Sequence, residues 1–387
     1  MSISTRKGHT GGLTIREIEA KSILRKHKRI DSWFISCYGM NLYRGCTHSC
    51  VYCDGRAEGY YVDGEFGKDV TVKVNAIELL RRELDPKRKR VPFRRCFIMV
   101  GGGVGDGYQP VEKKYHLTRK ALELMYEYNL PVSLLTKSTL IERDIDIIKR
   151  INERSRAIVS FSFSSMDNKI NAIFEPGVPP PHERLKTLSL FKNEGIACGM
   201  FLLPVIPFIT DTAELMEESV SKAKEAGVDF IIFGGMTLKE GRQQEHFYNA
   251  LRKTHPDLVA EYQNIYRGSE WGEATREYYD LINRRFNSIA KKYQMPKRTP
   301  PALYRDILDQ KDLVVVMLEH IDYLLKLEGK PSSFGYAAYS ISQLKEPLST
   351  MKGELHKIKG VNEAIEPVIR EIIETGSSSY YENLMAG

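Results

Sequence analysis

The sequence predicts an α/β protein built on a partial barrel of six βα units, followed by a helical extension. Three observations predict it. Between about residues 32 and 235, short apolar runs rich in β-branched and aromatic residues alternate with longer segments of helical period. The apolar runs are near-continuous, as strands buried on both faces of a parallel sheet require. Glycines and polar residues gather just after these runs, where a parallel sheet presents its carboxyl-end loops. Six such units suit a partial barrel better than a compact open sheet.

The elements follow in order. Strands are expected at "SWFISCYG" (32–39), "RCFIMVGGG" (95–103), "VSLLTKS" (132–138), "AIVSFSFSS" (157–165), "IACGMFLLPVI" (196–206) and "VDFIIFGG" (228–235). Between them, "NAIELLRREL", "YHLTRKALELMYEYN", "LIERDIDIIKRINERS", "HERLKTLSLFKNEG" and "AELMEESVSKAKEAG" place apolar residues at helical spacing. After residue 235 the pattern turns helical, with tyrosines spread through charged segments. These signals divide the chain into a basic N-terminal extension (1–31), the barrel (32–238), a helical extension (239–345) and a tail (346–387).

No apolar run approaches the ~20 residues of a bilayer span, and no secretory signal is visible, so a cytoplasmic location without a membrane partner is expected. In that setting the six cysteines are expected to be reduced. A net charge of +7 makes the surface mildly attractive to polyanions. Its local concentrations, "RKHKRI" (25–30) and "PKRKRVPFRR" (86–95), read as solvated helix ends and loops.

The first strand runs into "NLYRGCTHSCVYCDGR", which holds Cys46, Cys50 and Cys53 in a CxxxCxxC run. Thiolates at this spacing can wrap a zinc ion, but a closed zinc site takes four protein ligands, and no second paired cluster exists. His48 lies inside the loop, where it would have to bend back between its neighbours to become the fourth. A 4Fe-4S cluster held by three thiolates leaves one iron open to an outside ligand, which gives the missing fourth cysteine a purpose.

With these residues the sequence resembles the radical S-adenosylmethionine superfamily, and further strings resemble its spore photoproduct lyase-like branch. "NLYRGCTHSCVYC", "GDGYQPVE", "LTKSTLIERDIDII", "VSFSFSSMD", "FEPGVPPPHERLKTL" and "GMFLLPVIPFITD" occur in that branch's order over residues 33–235. The resemblance implies a radical SAM partial TIM-like barrel, a 4Fe-4S cluster on Cys46, Cys50 and Cys53, and S-adenosyl-L-methionine bound at the open iron. Reduction of the sulfonium would then give a 5′-deoxyadenosyl radical, with a flavodoxin or ferredoxin as electron donor.

The same resemblance implies roles for further residues. Tyr52 would lie near the adenine. Gly101, Gly102 and Gly103 would let the backbone approach the cofactor. Lys137 would pair with the cofactor carboxylate, with Ser162 and, on the same strand face, Ser160 as further contacts. Asp106 and Tyr108 would face the barrel mouth as candidate catalytic residues. Glu175 and Pro176 would shape a loop over the cofactor. The lyase's hydrogen-donating cysteine has no counterpart among residues 101–107, where Gly103 occupies its place. The resemblance therefore implies a relative that does not repair spore photoproduct by that route.

The tail string "HKIKGVNEAIEPVIREIIETG" resembles a helix-hairpin-helix, with Lys357, Lys359 and Gly360 where a nucleic-acid phosphate would sit. A DNA or RNA substrate, modified at a base or lesion, is the first expectation. A peptide or small molecule undergoing the same chemistry is the second. A non-catalytic zinc or iron–sulfur nucleic-acid-binding protein is the third.

Overall fold

A computed structural model of the chain describes residues 7–10, 13–62, 64–88, 93–101, 104–351 and 353–386. Its strands are β1 (Lys7–Thr10), β2 (Leu13–Ile18), β3 (Leu24–Asp31), β4 (Ser36–Met40), β5 (Tyr43–Arg44), β6 (Asp69–Lys73), β7 (Phe97–Gly101), β8 (Val132–Thr136), β9 (Ala157–Phe163), β10 (Ala197–Val205) and β11 (Phe230–Gly235). The larger sheet has the order β11-β10-β9-β8-β7-β4-β3. All neighbours from β4 to β11 pair in parallel, and β3 closes one edge antiparallel to β4. These six parallel strands with their crossover helices are the expected α/β partial barrel.

Burial explains why the strands were readable. Every residue of β9 is buried, because the barrel interior covers one face and helices cover the other. The crossover helix Ile145–Arg154 buries Ile147, Ile148 and Ile151, spaced to one face. Side-chain caps fix several helix starts: Asp167 accepts from Lys169 N and Ile170 N, Thr212 from Leu215 N, and Asp309 from Asp312 N.

Two basic stretches behave otherwise than expected. "RKHKRI" is neither helix end nor loop; it lies within strand β3, because pairing with β4 satisfies its backbone. In "PKRKRVPFRR", residues 89–92 lie outside the described residues. Arg94 is ion-paired with Asp312, and Arg95 donates to Asp306 O, so these cations fasten the barrel to the helical extension. A second sheet, in the order β1-β2-β6-β5, was not foreseen; β5 at its edge carries the chain into the cysteine loop.

The helical extension closes the barrel's open seam. Along the helix Gln310–Leu327, Asp312 contacts Cys37 of β4, His320 Nε2 donates to Ser32 O at 2.9 Å, and Tyr323 OH donates to Phe233 O of β11 at 3.3 Å. His320 Nδ1 in turn accepts from Tyr381 OH at 2.7 Å. The tail differs from the expected helical hairpin before its glycine turn. Single 3₁₀ turns at Leu348–Met351 and Leu355–Lys357 stand where a first helix was read. Asn362 Oδ1 accepts from Ala364 N and Ile365 N, so the chain starts a new turn there and leads into the helix Glu366–Thr375.

Candidate active site

The cysteine loop is fastened at both ends. Tyr43 and Arg44 pair with β6, and the next residue, Gly45, has φ +82°; a Cβ there would lie 2.4 Å from Asp69 O, so only glycine fits. Buried Gln109 then grips the loop, accepting from Thr47 N at 3.1 Å and donating to Gly45 O at 3.0 Å. At the far end the Arg56 guanidinium donates to Cys50 O, Ser49 O, Ser49 Oγ and Phe66 O. Cys53 Sγ accepts from Gly55 N at 3.4 Å.

The three cysteines line a cavity of about 110 Å³ together with His48, Val104, Gly105, Asp106, Leu135, Thr136, Lys137 and Ser162. Burial pushes all three thiols up, Cys50 to about 12. Deprotonated thiolates there need a metal to replace the lost protons. Among the described residues no three His, Cys, Asp or Glu side chains converge on one ion position. A cluster takes each thiolate on a separate iron, so ligands spread around a cavity suit it. His48 is committed elsewhere: its Nδ1 lies 2.9 Å from Gly177 O and its Nε2 3.0 Å from Asp106 Oδ2.

Asp106 borders this cavity but spends both oxygens inside the protein. They accept from Tyr108 N, Thr136 Oγ1, Lys137 N and His48 Nε2. Burial would raise its carboxyl, yet the facing His48 and the backbone N–H groups outweigh it and hold it below the usual range. Asp106 therefore ties the cysteine loop to the ends of β7 and β8 and acts as a positioning residue. Tyr108 does not face the barrel mouth: it is fully buried, its phenol pushed well up by burial and by Asp144 and Glu112. The "GDGYQPVE" string folds back beneath the first loop, where Glu112 accepts from Tyr43 OH, Thr118 N and Arg143.

Lys137, Ser162 and Tyr52 do come together, around a residue whose weight the sequence did not show. Lys137 Nζ donates to Ser162 Oγ at 2.9 Å and to Glu175 Oε1 at 2.8 Å, and lies 5.6 Å from the centre of the Tyr52 ring. Tyr52 OH donates to the same Glu175 oxygen. Fully buried Arg184 donates to Glu175 Oε2 at 2.8 Å and to Ser162 O at 2.6 Å, and Asn171 completes the set. Burial opposes ionisation of Glu175, but Lys137 and Arg184 prevail and hold its carboxyl down to about 2. The loop it begins rests on the cysteine loop, since Gly177 N donates to His48 O and Val51 N to Phe174 O. A signal for Arg184 was present: it shares a helical face with Thr187, Leu188 and Phe191, all buried.

The remaining candidates divide. Gly101 has φ +78°, and a Cβ there would meet Leu135 O at 2.8 Å, so the backbone itself requires glycine. Gly102 and Gly103 lie outside the described residues. Ser160 is buried mid-strand against Gly199 and does not line the cysteine cavity. Lys357 and Lys359 are exposed on the tail, far along the chain, with Lys357 paired to Glu354.

A second cavity, of about 390 Å³, shares Val104, Gly105 and Asp106 with the first and is lined also by Arg25, His27, Phe34, Gly39, Met99 and Gly101. It occupies the barrel mouth beside the cysteines, a size that suits a small-molecule or single-base ligand.

Comparison with known proteins agrees with this geometry. Residues 40–217 match the family model described as the radical SAM superfamily. An uncharacterized protein of Mycobacterium tuberculosis (strain H37Rv) is 29% identical over 303 residues, covering 77% of this chain and 86% of that protein. An uncharacterized protein of Methanocaldococcus jannaschii is 28% identical over 256 residues, covering 66% and 86%. Among solved structures, spore photoproduct lyase complexed with dinucleoside spore photoproduct superposes with a TM-score of 0.55 at 17% identity, over 72% of this chain and 79% of that one. A form of the same lyase with bound AdoMet and dinucleoside gives 0.52 at 18% identity, over 70% and 78%. Residues 40–217 of this chain are thus a radical SAM domain, the domain of enzymes whose cofactors are a 4Fe-4S cluster and S-adenosylmethionine.

Proposed function

We propose that this enzyme acts on a base or base lesion in a nucleic acid. One observation carries the reading: the larger cavity opens on the same Val104–Gly105–Asp106 turn that walls the cysteine pocket, and cationic Arg25 flanks it beside His27. A substrate seated there would lie next to the cofactors, with its phosphates facing positive charge. The lyase of similar fold holds a dinucleoside, which agrees with a substrate of this class.

Cys46, Cys50 and Cys53 would hold the cluster. The bound pair of cofactors would supply a reactive adenosyl radical, and the chain's contribution would be orientation and exclusion of water. Ser162 and Lys137 would face S-adenosylmethionine from the strand ends, Tyr52 and Gly101 would border it, and the Glu175 carboxylate would keep Lys137 in place. Asp106 and His48 would brace the loop that carries the ligands. In the tail, Lys357, Lys359 and the Gly360 turn would contact phosphate. A flavodoxin or ferredoxin would deliver the electron.

Anaerobic reconstitution tests the enzyme, and substrate stimulation tests its target. About four irons per chain are expected, together with dithionite-dependent release of 5′-deoxyadenosine. Release should accelerate when DNA or RNA oligonucleotides are added. Acceleration by peptides or metabolites with none by any nucleic acid would overturn the substrate assignment. Bound zinc without cofactor cleavage would overturn the chemistry.

A further inference from the structure

We propose that β3 and the helix Phe334–Ser342 form one docking track for a single-stranded nucleic acid, with phosphates along β3 and bases stacked on Tyr336 and Tyr339. The proposal rests on the nucleic-acid reading above and deepens it with residues outside the catalytic pocket. β3 is an end strand of the sheet, and Arg25, Lys26, Lys28 and Arg29 on it are all exposed. Of these four, Arg29 has a carboxylate partner, Glu319 at 3.2 Å; among the described residues the other three have none. Lys26 and Lys28, on alternate strand positions and so on one face, stand about 7 Å apart, close to the spacing of successive phosphates in an extended strand.

Charge on a sheet edge also wards off strand pairing, and alone it would signify no more than that. Here the charged strand borders two joined spaces. A surface groove of about 620 Å³ runs along residues 25–33 and shares Arg25, His27 and Asp31 with the cavity beside the cysteines. At its other end the Arg29 guanidinium lies 5.9 Å from the centre of the Tyr339 ring. Tyr336, three residues earlier and on the same helical face, abuts Gly360: a Cβ at that glycine would lie 2.5 Å from Tyr336 Cδ1. The two rings are 55% and 50% exposed, large apolar surface left at the Arg29 end of the row of cations.

Exposed rings at the end of a row of cations suit a single strand, because its backbone can follow the charge while every base has a face to stack. Stacking on Tyr336 and Tyr339 requires bases free of a partner strand. A base already unpaired also enters the cavity without the cost of leaving a duplex. The track thus runs from the Gly360 turn, across two tyrosines and along β3, to the cavity beside the cluster.

Fluorescence anisotropy of a fluorescein-labelled, mixed-sequence single strand, titrated with the full-length reconstituted enzyme and compared with the matching duplex, tests this. The single strand should bind more tightly. Lys26→Glu with Lys28→Glu should weaken it about tenfold and flatten the log K against log salt slope by about 1.4, two phosphate contacts' worth. Tyr336→Ala with Tyr339→Ala should weaken binding at least about fivefold while leaving that slope unchanged. Iron content and circular dichroism report whether each variant has folded. A wild-type enzyme that binds neither form would overturn the nucleic-acid reading and the track together. Tight wild-type binding that both variants retain, or a preference for duplex, would overturn the track alone. Binding to anionic lipid vesicles, lost in the lysine variant, by a protein that ignores oligonucleotides would assign β3 to a membrane surface instead.

Discussion

Replacing Glu175 with Gln should loosen the whole site, by an amount the hydrogen bonds set. The carboxylate accepts from four donors: Tyr52 and Lys137 at one oxygen, Arg184 and Asn171 at the other. Glutamine offers a single oxygen, and its amide N–H₂ would face two of those donors, so two bonds are lost. Arg184 is fully buried and cannot shed its proton, so its charge remains without a counter-ion. Two bonds to charged or buried donors, at about 1.5–3 kcal/mol each, give about 3–6 kcal/mol. That agrees with the about 3–5 kcal/mol typical of breaking one half of a buried ion pair. Lys137, at 14% exposed, can turn toward the cavity, so most of the cost falls on Arg184. Guanidinium unfolding followed by circular dichroism, under anaerobic conditions, would measure it. Arg184→Met in the same chain removes the stranded charge, so the double variant should lose less than the two single variants summed. A Glu175→Gln loss below about 1 kcal/mol, or strict additivity with Arg184→Met, would refute the hub.

Three further outcomes follow from described contacts. Gln109→Ala should cost about 2–4 kcal/mol, because Gly45 O and Thr47 N lose their partner, and should lower iron content after reconstitution; a thermal melt and an iron assay check both. Burial, joined by the nearby Arg298 charge, holds His320 down to about 3 against an ordinary value near 6.5, so the unfolded chain takes up this proton first. Its contribution is therefore complete above about pH 6.5 and falls by up to about 5 kcal/mol as pH drops toward about 3, and His320→Gln should flatten this acid limb of stability against pH. Gly199→Ala would put a Cβ 2.4 Å from Phe230 Cζ and 2.7 Å from Ser160 Oγ, costing about 1–3 kcal/mol, whereas Gly59→Ala, with nothing within 4 Å, should be neutral in the same denaturation assay.

The barrel was legible because its physics is local and repetitive. β9 needs apolar side chains on both faces, and "AIVSFSF" displays them. β3 was illegible for the opposite reason: "LRKHKRID" has no strand pattern, and only the edge of β4, a tertiary partner, makes it a strand. The cysteine loop announced itself because three thiols at that spacing have few uses. Tyr108 was misplaced because position after a strand end says nothing about direction; from Asp106, which lines both cavities, the segment turns under the first loop, where Gln109 and Glu112 brace it. Arg184 and Glu175 meet across nine residues through a helix start, and the pairing becomes visible only when both are found buried. In the tail, single 3₁₀ turns stand where the hairpin's first helix was read, and the Asn362 side chain begins the turn that leads into the second.

The helix in the barrel's seam also bears on how the chain is made. Ser32 and His320 are 288 residues apart in sequence, and Cys37 and Asp312 are 275 apart, yet each pair is in contact. Contacts so distant cannot form until nearly the whole chain has left the ribosome, and closing such long loops slows folding. The cysteine loop, in contrast, emerges early. Every residue lining its cavity, from Cys46 to Ser162, is likewise synthesised well before the helix that closes the seam, so the pocket can assemble first and the seam last.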